Sequence, residues 1–106
     1  MDWLVQKERS PGDIVIRLRG DCDLYSAPAF ARAMLEGVEK GWRNVRFDCS
    51  ELVYLDSTGV GALIRVVQAL RRLGGSVRCN GLRGAPRKVL EMSNILPLLN
   101  EERTRP

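Results

Sequence analysis

The sequence predicts a single α/β domain: a mixed sheet of four to five strands with about three main helices packed on one face. Three observations carry this. Apolar residues alternate with polar ones at Ile14, Ile16 and Leu18, again at Val45, Phe47 and Cys49, and at Val77 and Cys79. That is the period of half-buried strands. Between and after these runs, apolar residues recur three and four positions apart, as on the buried stripe of a helix. Turn formers separate the segments: Ser10-Pro11-Gly12-Asp13, Gly41 and Gly74-Gly75. The order reads β-β-α-β-α-β-α. An opening hairpin followed by strand–helix alternation gives a mixed sheet, and crossovers of one hand stack successive helices on one face.

Each element has its own signal. Leu4 to Glu8 reads as a short opening strand, and the turn at 10–13 folds it against the strand from Ile14 to Arg19, which Gly20 ends. Asp21-Cys22-Asp23-Leu24-Tyr25 reads as a polar connector. Ser26 and Pro28 announce the first helix. It runs to about Lys40, buries Phe30, Met34 and Val38, and stops at Gly41. Val45 to Cys49 is the third strand, followed by a short loop. The second helix spans about Ser57 to Leu73 with Val60, Leu63, Ile64, Val67 and Leu70 on its inner face. Arg71 and Arg72 lie in its last turn, where cations suit the helix dipole. Val77 and Cys79 mark the fourth strand. Pro86 starts the third helix, with Val89, Leu90 and Met92 counted on its inward side. Ile95 to Leu99 is an apolar tail over one end of the core. The domain takes in residues 1–106, with a core over about 3–99 and a charged stretch, 100–106, expected to fray.

Composition narrows the function. At 106 residues and 44% hydrophobic content the chain supports one modest core. No apolar run approaches the roughly 20 residues of a membrane helix, and Met1 to Arg9 lacks the apolar stretch of a signal peptide. The expectation is a cytoplasmic protein without a membrane role. The cysteines Cys22, Cys49 and Cys79 are odd in number and far apart, and there is no histidine. A metal site with Cys/His spacing is not expected, nor is a His-based triad. No cofactor motif is present. The net charge is +4, but the arginines and lysines are spread and lack interleaved aromatics. No nucleic-acid partner is expected.

The segment that carries chemistry is Tyr54-Leu55-Asp56-Ser57-Thr58-Gly59-Val60-Gly61. It opens the second helix and places two hydroxyls and a carboxylate at a helix N-terminus, where backbone N–H groups are unpaired and a phosphate is well accommodated. Adding a dianion at such a hydroxyl changes what docks beside it. The same residues also read as an ordinary cap, with Ser57 or Asp56 as the capping residue.

This segment, in this element order, resembles the STAS domain, and more narrowly the stand-alone bacterial anti-sigma factor antagonists. Gly20-Asp21-Cys22-Asp23 is similar to the family's glycine-acid-x-aspartate turn after the second strand. Phe47-Asp48-Cys49-Ser50 is similar to its Asp-x-Ser step, and Val89-Leu90-Glu91-Met92-Ser93 to its last helix and exit loop. The resemblance covers about Leu4 to Leu99. It implies that Thr58 carries a regulatory phosphate, with Ser57 the second choice for that role and the first for the helix cap. It implies a serine/threonine kinase partner, the anti-sigma factor, of the histidine-kinase-like ATPase superfamily, and a PP2C-type phosphatase that resets the switch. The implied docking ridge is Asp23, Tyr25, Ser26, Tyr54, Leu55, Asp56, Ser57, Gly59, Gly61 and Arg65, with Tyr25 and Tyr54 as aromatic anchors. The protein itself would not be an enzyme and would be a monomer. The alternative on the same fold is a non-switching scaffold or a subunit of a lipid or small-ligand transport system. Two departures stand out: the chain is basic, and threonine stands where many members carry serine.

Overall fold

The computed structural model describes residues 1–102. In chain order it contains β1 (Asp2–Lys7), β2 (Asp13–Cys22), α1 (Ala27–Glu39), β3 (Asn44–Leu55), α2 (Ser57–Arg72), β4 (Ser76–Asn80) and α3 (Gly84–Met92). A 3-10 helix (Leu96–Leu99) and β5 (Glu101–Glu102) close it. The five strands lie side by side in sequence order. β1 pairs antiparallel with β2, and the remaining neighbours pair in parallel. The mixed sheet and the three helices match the expected architecture.

Strand alternation decides where the core sits. Ile14, Ile16 and Leu18 of β2, Val45, Phe47 and Cys49 of β3, and Val77 and Cys79 of β4 point to one face and are buried. Phe30 and Met34 of α1, Val60, Leu63, Val67 and Leu70 of α2, and Leu90 of α3 pack on them. The helices therefore cover one face of the sheet. The opposite face carries Arg17, Arg19, Arg46 and Arg78, with surface ion pairs Arg17–Asp48, Arg19–Glu51 and Arg46–Glu102.

Several boundaries differ from the sequence expectation, each for a non-local reason. β2 does not end at Gly20 but continues to Cys22. β3 does not stop at Cys49 but runs unbroken to Leu55. The two extensions pair with each other, Arg19↔Glu51 to Cys22↔Leu55, through two register shifts that fit extra β3 residues into the ladder. Cys22 thereby becomes a core residue instead of part of a polar connector. Met92 is 83% exposed, because the buried stripe of α3 is Pro86 and Leu90. Residues 101–102 do not fray. They add a fifth strand beside Cys79 and Asn80, and Glu101 binds Arg87 of α3 through both carboxylate oxygens. Residues 103–106 of the expected frayed tail lie outside the described residues.

Candidate functional site

The carboxyl ends of β2 and β3 carry two turns. β2 leads into the turn Asp23 to Ser26, and β3 leads through Asp56 into α2. They are tied where the strands end, by the Asp56 N–H donating to the Cys22 carbonyl at 3.3 Å. Gly59 closes this junction. An added Cβ there would lie 2.7 Å from the Cys22 carbonyl oxygen and 2.5 Å from a Leu55 methyl. The first turn of α2 therefore sits directly on the end of the sheet, and only glycine permits it.

Asp56 is the helix cap. Its backbone is extended, and its Oδ1 accepts from the N–H of Thr58 at 2.9 Å and of Gly59 at 3.1 Å. That is the two-bond geometry of an Asp N-cap. Ser57, expected from the resemblance to cap the helix, is instead its first residue and is exposed. Asp fills the cap because its backbone is the last extended step of the β3 exit, one residue earlier. Thr58 follows, half-buried. Among the described residues its hydroxyl and that of Ser57 make no hydrogen bond, so both are available to chemistry.

The neighbouring turn is held by Asp23. Its Oδ1 accepts from the N–H of Tyr25 at 3.0 Å and of Ser26 at 3.1 Å, and lies 3.1 Å from Ser26 Oγ. Partial burial works against the charge here, but these hydrogen bonds from Ser26 and Tyr25 outweigh it and hold the Asp23 carboxyl below its ordinary range. Ser26 Oγ in turn accepts from the Asp23 N–H and reaches the Asp21 carbonyl. A short segment without regular structure is thus fixed by its own polar groups, and it presents Tyr25, 90% exposed, and Leu24 to solvent.

The sequence-predicted ridge residues of the two turns and of the start of α2 gather at this end of the sheet, whereas Arg65 lies about two turns further along α2, and not all of them form the surface. Tyr25, Tyr54, Ser57 and Arg65 are exposed, and Asp23, Ser26, Asp56, Thr58 and Gly61 are half-buried. Leu55 and Gly59 are buried and support the ridge from beneath. Two exposed apolar residues were not singled out by sequence reasoning: Leu24, beside Tyr25, and Val53, beside Tyr54. The signal for Val53 is a break in alternation between Leu52 and Leu55, readable as a bulge. Leu24 lies in a turn, where no periodicity marks it.

Cys22 lies under the junction. Burial first, then the negative charges of Asp56 and Asp23, push its thiol up to about 11. Burial likewise raises Cys79 to about 12 and Cys49 still further. These three are packed thiols, not nucleophiles.

The family model for the STAS domain matches residues 5–105. The chain belongs to the STAS domain family. Within that family it is 30% identical over 99 residues to the anti-sigma-B factor antagonist of Listeria monocytogenes, covering 91% of this chain and 87% of that one. It is 28% identical over 82 residues to the anti-sigma-B factor antagonist of Bacillus subtilis, covering 77% of this chain and 74% of that one. The fold matches the unphosphorylated form of the anti-sigma factor antagonist SpoIIAA with a TM-score of 0.84 at 19% identity, over 98% of this chain and 89% of that one.

Proposed function

We propose that this STAS domain is an anti-sigma factor antagonist in a partner-switching pathway of the bacterial cytoplasm. Unphosphorylated, it binds an anti-sigma serine/threonine kinase of the histidine-kinase-like ATPase type and so frees the sigma factor. Phosphorylation of Thr58 by that kinase releases it, and a PP2C-type phosphatase restores it. The observation that carries the reading is the unbonded Thr58 hydroxyl, held by the Asp56 cap at the start of α2 and next to the turn organised by Asp23. The similarity to anti-sigma-B factor antagonists supplies the class of partner.

The physical chemistry is that of a charge switch. A phosphate on Thr58 adds about −1.5 to −2 charge beside Asp56 and close to Asp23. The N-terminal dipole of α2 offsets part of the repulsion, so the domain stays folded. A partner docked over this ridge has to desolvate the dianion. Without cations of its own there, it loses roughly 2–5 kcal/mol of binding. No large conformational change is needed.

The test is affinity capture from native lysate with wild type, Thr58→Ala and Thr58→Glu as bait, read by mass spectrometry. Wild type and Thr58→Ala are expected to recover one ATPase of this type, and Thr58→Glu to lose it. Equal recovery by all three would refute the switch.

A further inference from the structure

We infer that the outer face of α2 from Gly61 to Arg65 seats an acidic segment of the protein that docks over Thr58. That segment lies flush against Gly61 and pairs its carboxylates with Arg65. The inference rests on the switch reading above and names the chemistry that the partner brings to it.

Gly61 is a glycine the fold does not use. It sits inside α2 with an ordinary helical backbone, where glycine costs stability relative to alanine. An added Cβ there meets nothing within 4 Å. Gly59 is the contrast, because its missing Cβ makes room for Cys22 and Leu55. The room at Gly61 opens outward, on the half-exposed side of the helix about one turn past Thr58. A bare backbone position of this kind admits close approach from outside.

Arg65 supplies the charge. α2 carries Arg65, Arg71 and Arg72 and no acidic residue. Arg71 and Arg72 stand in the last turn, where the helix dipole favours them. Arg65 stands in the middle of the helix, out of reach of that effect. Its neighbours three and four positions away are Gly61, Ala62, Gln68 and Ala69, so no carboxylate on its own helix pairs with it. Among the described residues the ion pairs engage Arg17, Arg19, Arg46, Arg78 and Arg87. Arg65 is exposed and takes part in none of them.

Geometry ties this face to the switch. Seven residues make nearly two whole helical turns, so Arg65 stands on the same side of α2 as Thr58, about 10 Å along the axis. A stable protein interface covers roughly 800 Å² of each partner, a patch about 16 Å in radius. A protein centred on Thr58 therefore covers Gly61 and Arg65, and Arg72, about 21 Å away, falls outside. The occupant is a protein and not a polyanion. A phosphate backbone or an anionic lipid surface would set negative charge against Asp23 and Asp56 as well as against Arg65, whereas a protein places carboxylates at Arg65 alone.

The test adds Gly61→Ala, Gly61→Leu, Arg65→Glu, Arg65→Lys and Arg72→Glu to the capture described above. The recovered ATPase is then purified and titrated against each variant at about 0.15 M salt, where charges more than roughly 8 Å apart are screened. Gly61→Leu and Arg65→Glu are each expected to raise the dissociation constant about tenfold or more, with a flatter salt dependence for Arg65→Glu. Arg65→Lys and Arg72→Glu are expected to bind close to wild type. Gly61→Ala is expected to unfold at higher urea than wild type and yet bind more weakly, a split that a purely structural glycine would not produce. Circular dichroism checks that every variant is folded. Wild-type affinity in Gly61→Leu or in Arg65→Glu overturns the inference, and so does an equal loss in Arg72→Glu, which would make net charge the cause. If Thr58→Glu binds as wild type while Gly61→Leu and Arg65→Glu lose the ATPase, the switch falls and the seat stands. If wild type recovers no such ATPase, both fall.

Discussion

Gly59 and Gly61 stand two residues apart on α2, yet replacing each by alanine is expected to move stability in opposite directions. At Gly61 an added Cβ meets nothing within 4 Å. Alanine there gains the helix preference over glycine alone, about 1 kcal/mol. At Gly59 the added Cβ falls 2.7 Å from the Cys22 carbonyl oxygen, 2.9 Å from Cys22 Sγ and 2.5 Å from a Leu55 methyl. The Leu55 methyl is on a side chain and can give. The carbonyl cannot, because it belongs to the strand end that accepts the Asp56 N–H. Overpacking of this kind costs about 1–3 kcal/mol, and a fixed backbone contact puts Gly59 at the upper end. Less the helix gain, Gly59→Ala is expected to lose about 2 kcal/mol. The assay is urea unfolding followed by circular dichroism, with both variants and wild type at one pH and a common m-value. Gly59→Ala as stable as wild type, or both alanines shifting the midpoint the same way, would refute the claim that α2 is seated on the end of β2.

Two further outcomes follow from the same junction. Asp56→Ala removes the acceptor of the Thr58 and Gly59 N–H groups and is expected to cost about 1 kcal/mol in the same unfolding assay, whereas Asp56→Asn, which keeps an acceptor oxygen, stays close to wild type. The thiols set an alkaline limit. Folded Cys22 and Cys79 are raised to about 11 and about 12 against an ordinary thiol value of 9.0, so the unfolded chain releases these protons first. Their contribution to stability is complete below about pH 9 and is lost as pH rises through the folded values. Thiol titration with a disulfide reagent at pH 8 is expected to find all three cysteines protected in the native protein and reactive in denaturant. Rapid native reaction of Cys22 would contradict its placement beneath Gly59.

Much of the fold is written in local pattern. The alternation through Ile14–Leu18 and Val45–Cys49, the helical spacing from Val60 to Leu70, and the punctuation at Pro11-Gly12, Gly41 and Gly74-Gly75 are each short-range consequences of side-chain period and backbone preference. They determine the order of elements and the buried face of each. They also place Asp56, Ser57 and Thr58 at the start of a helix, and the motif residues around them carry the family resemblance. The apolar stripe of α3 is the weak case: with nine residues its helical period is short, and Met92 fell on the wrong side of it.

What only the tertiary structure decided are the contacts between segments distant in sequence. Ser50 to Leu55 has no strand signal strong enough to outweigh Ser50-Glu51, yet it is held extended because Arg19 to Cys22 offers it a ladder. Glu101 and Glu102 read as tail, since two acidic residues form a strand only where β4 and Arg87 receive them. The choice of Asp56 over Ser57 as cap depends on where β3 stops, and β3 stops where β2 does. The identity of Gly59 is fixed by a carbonyl 37 positions earlier in the chain, Cys22. Local propensity acts over a few residues and therefore names the elements. Backbone pairing and close approach act across the fold, and they set the strand ends, the cap and the exposed ridge on which the proposed switch depends.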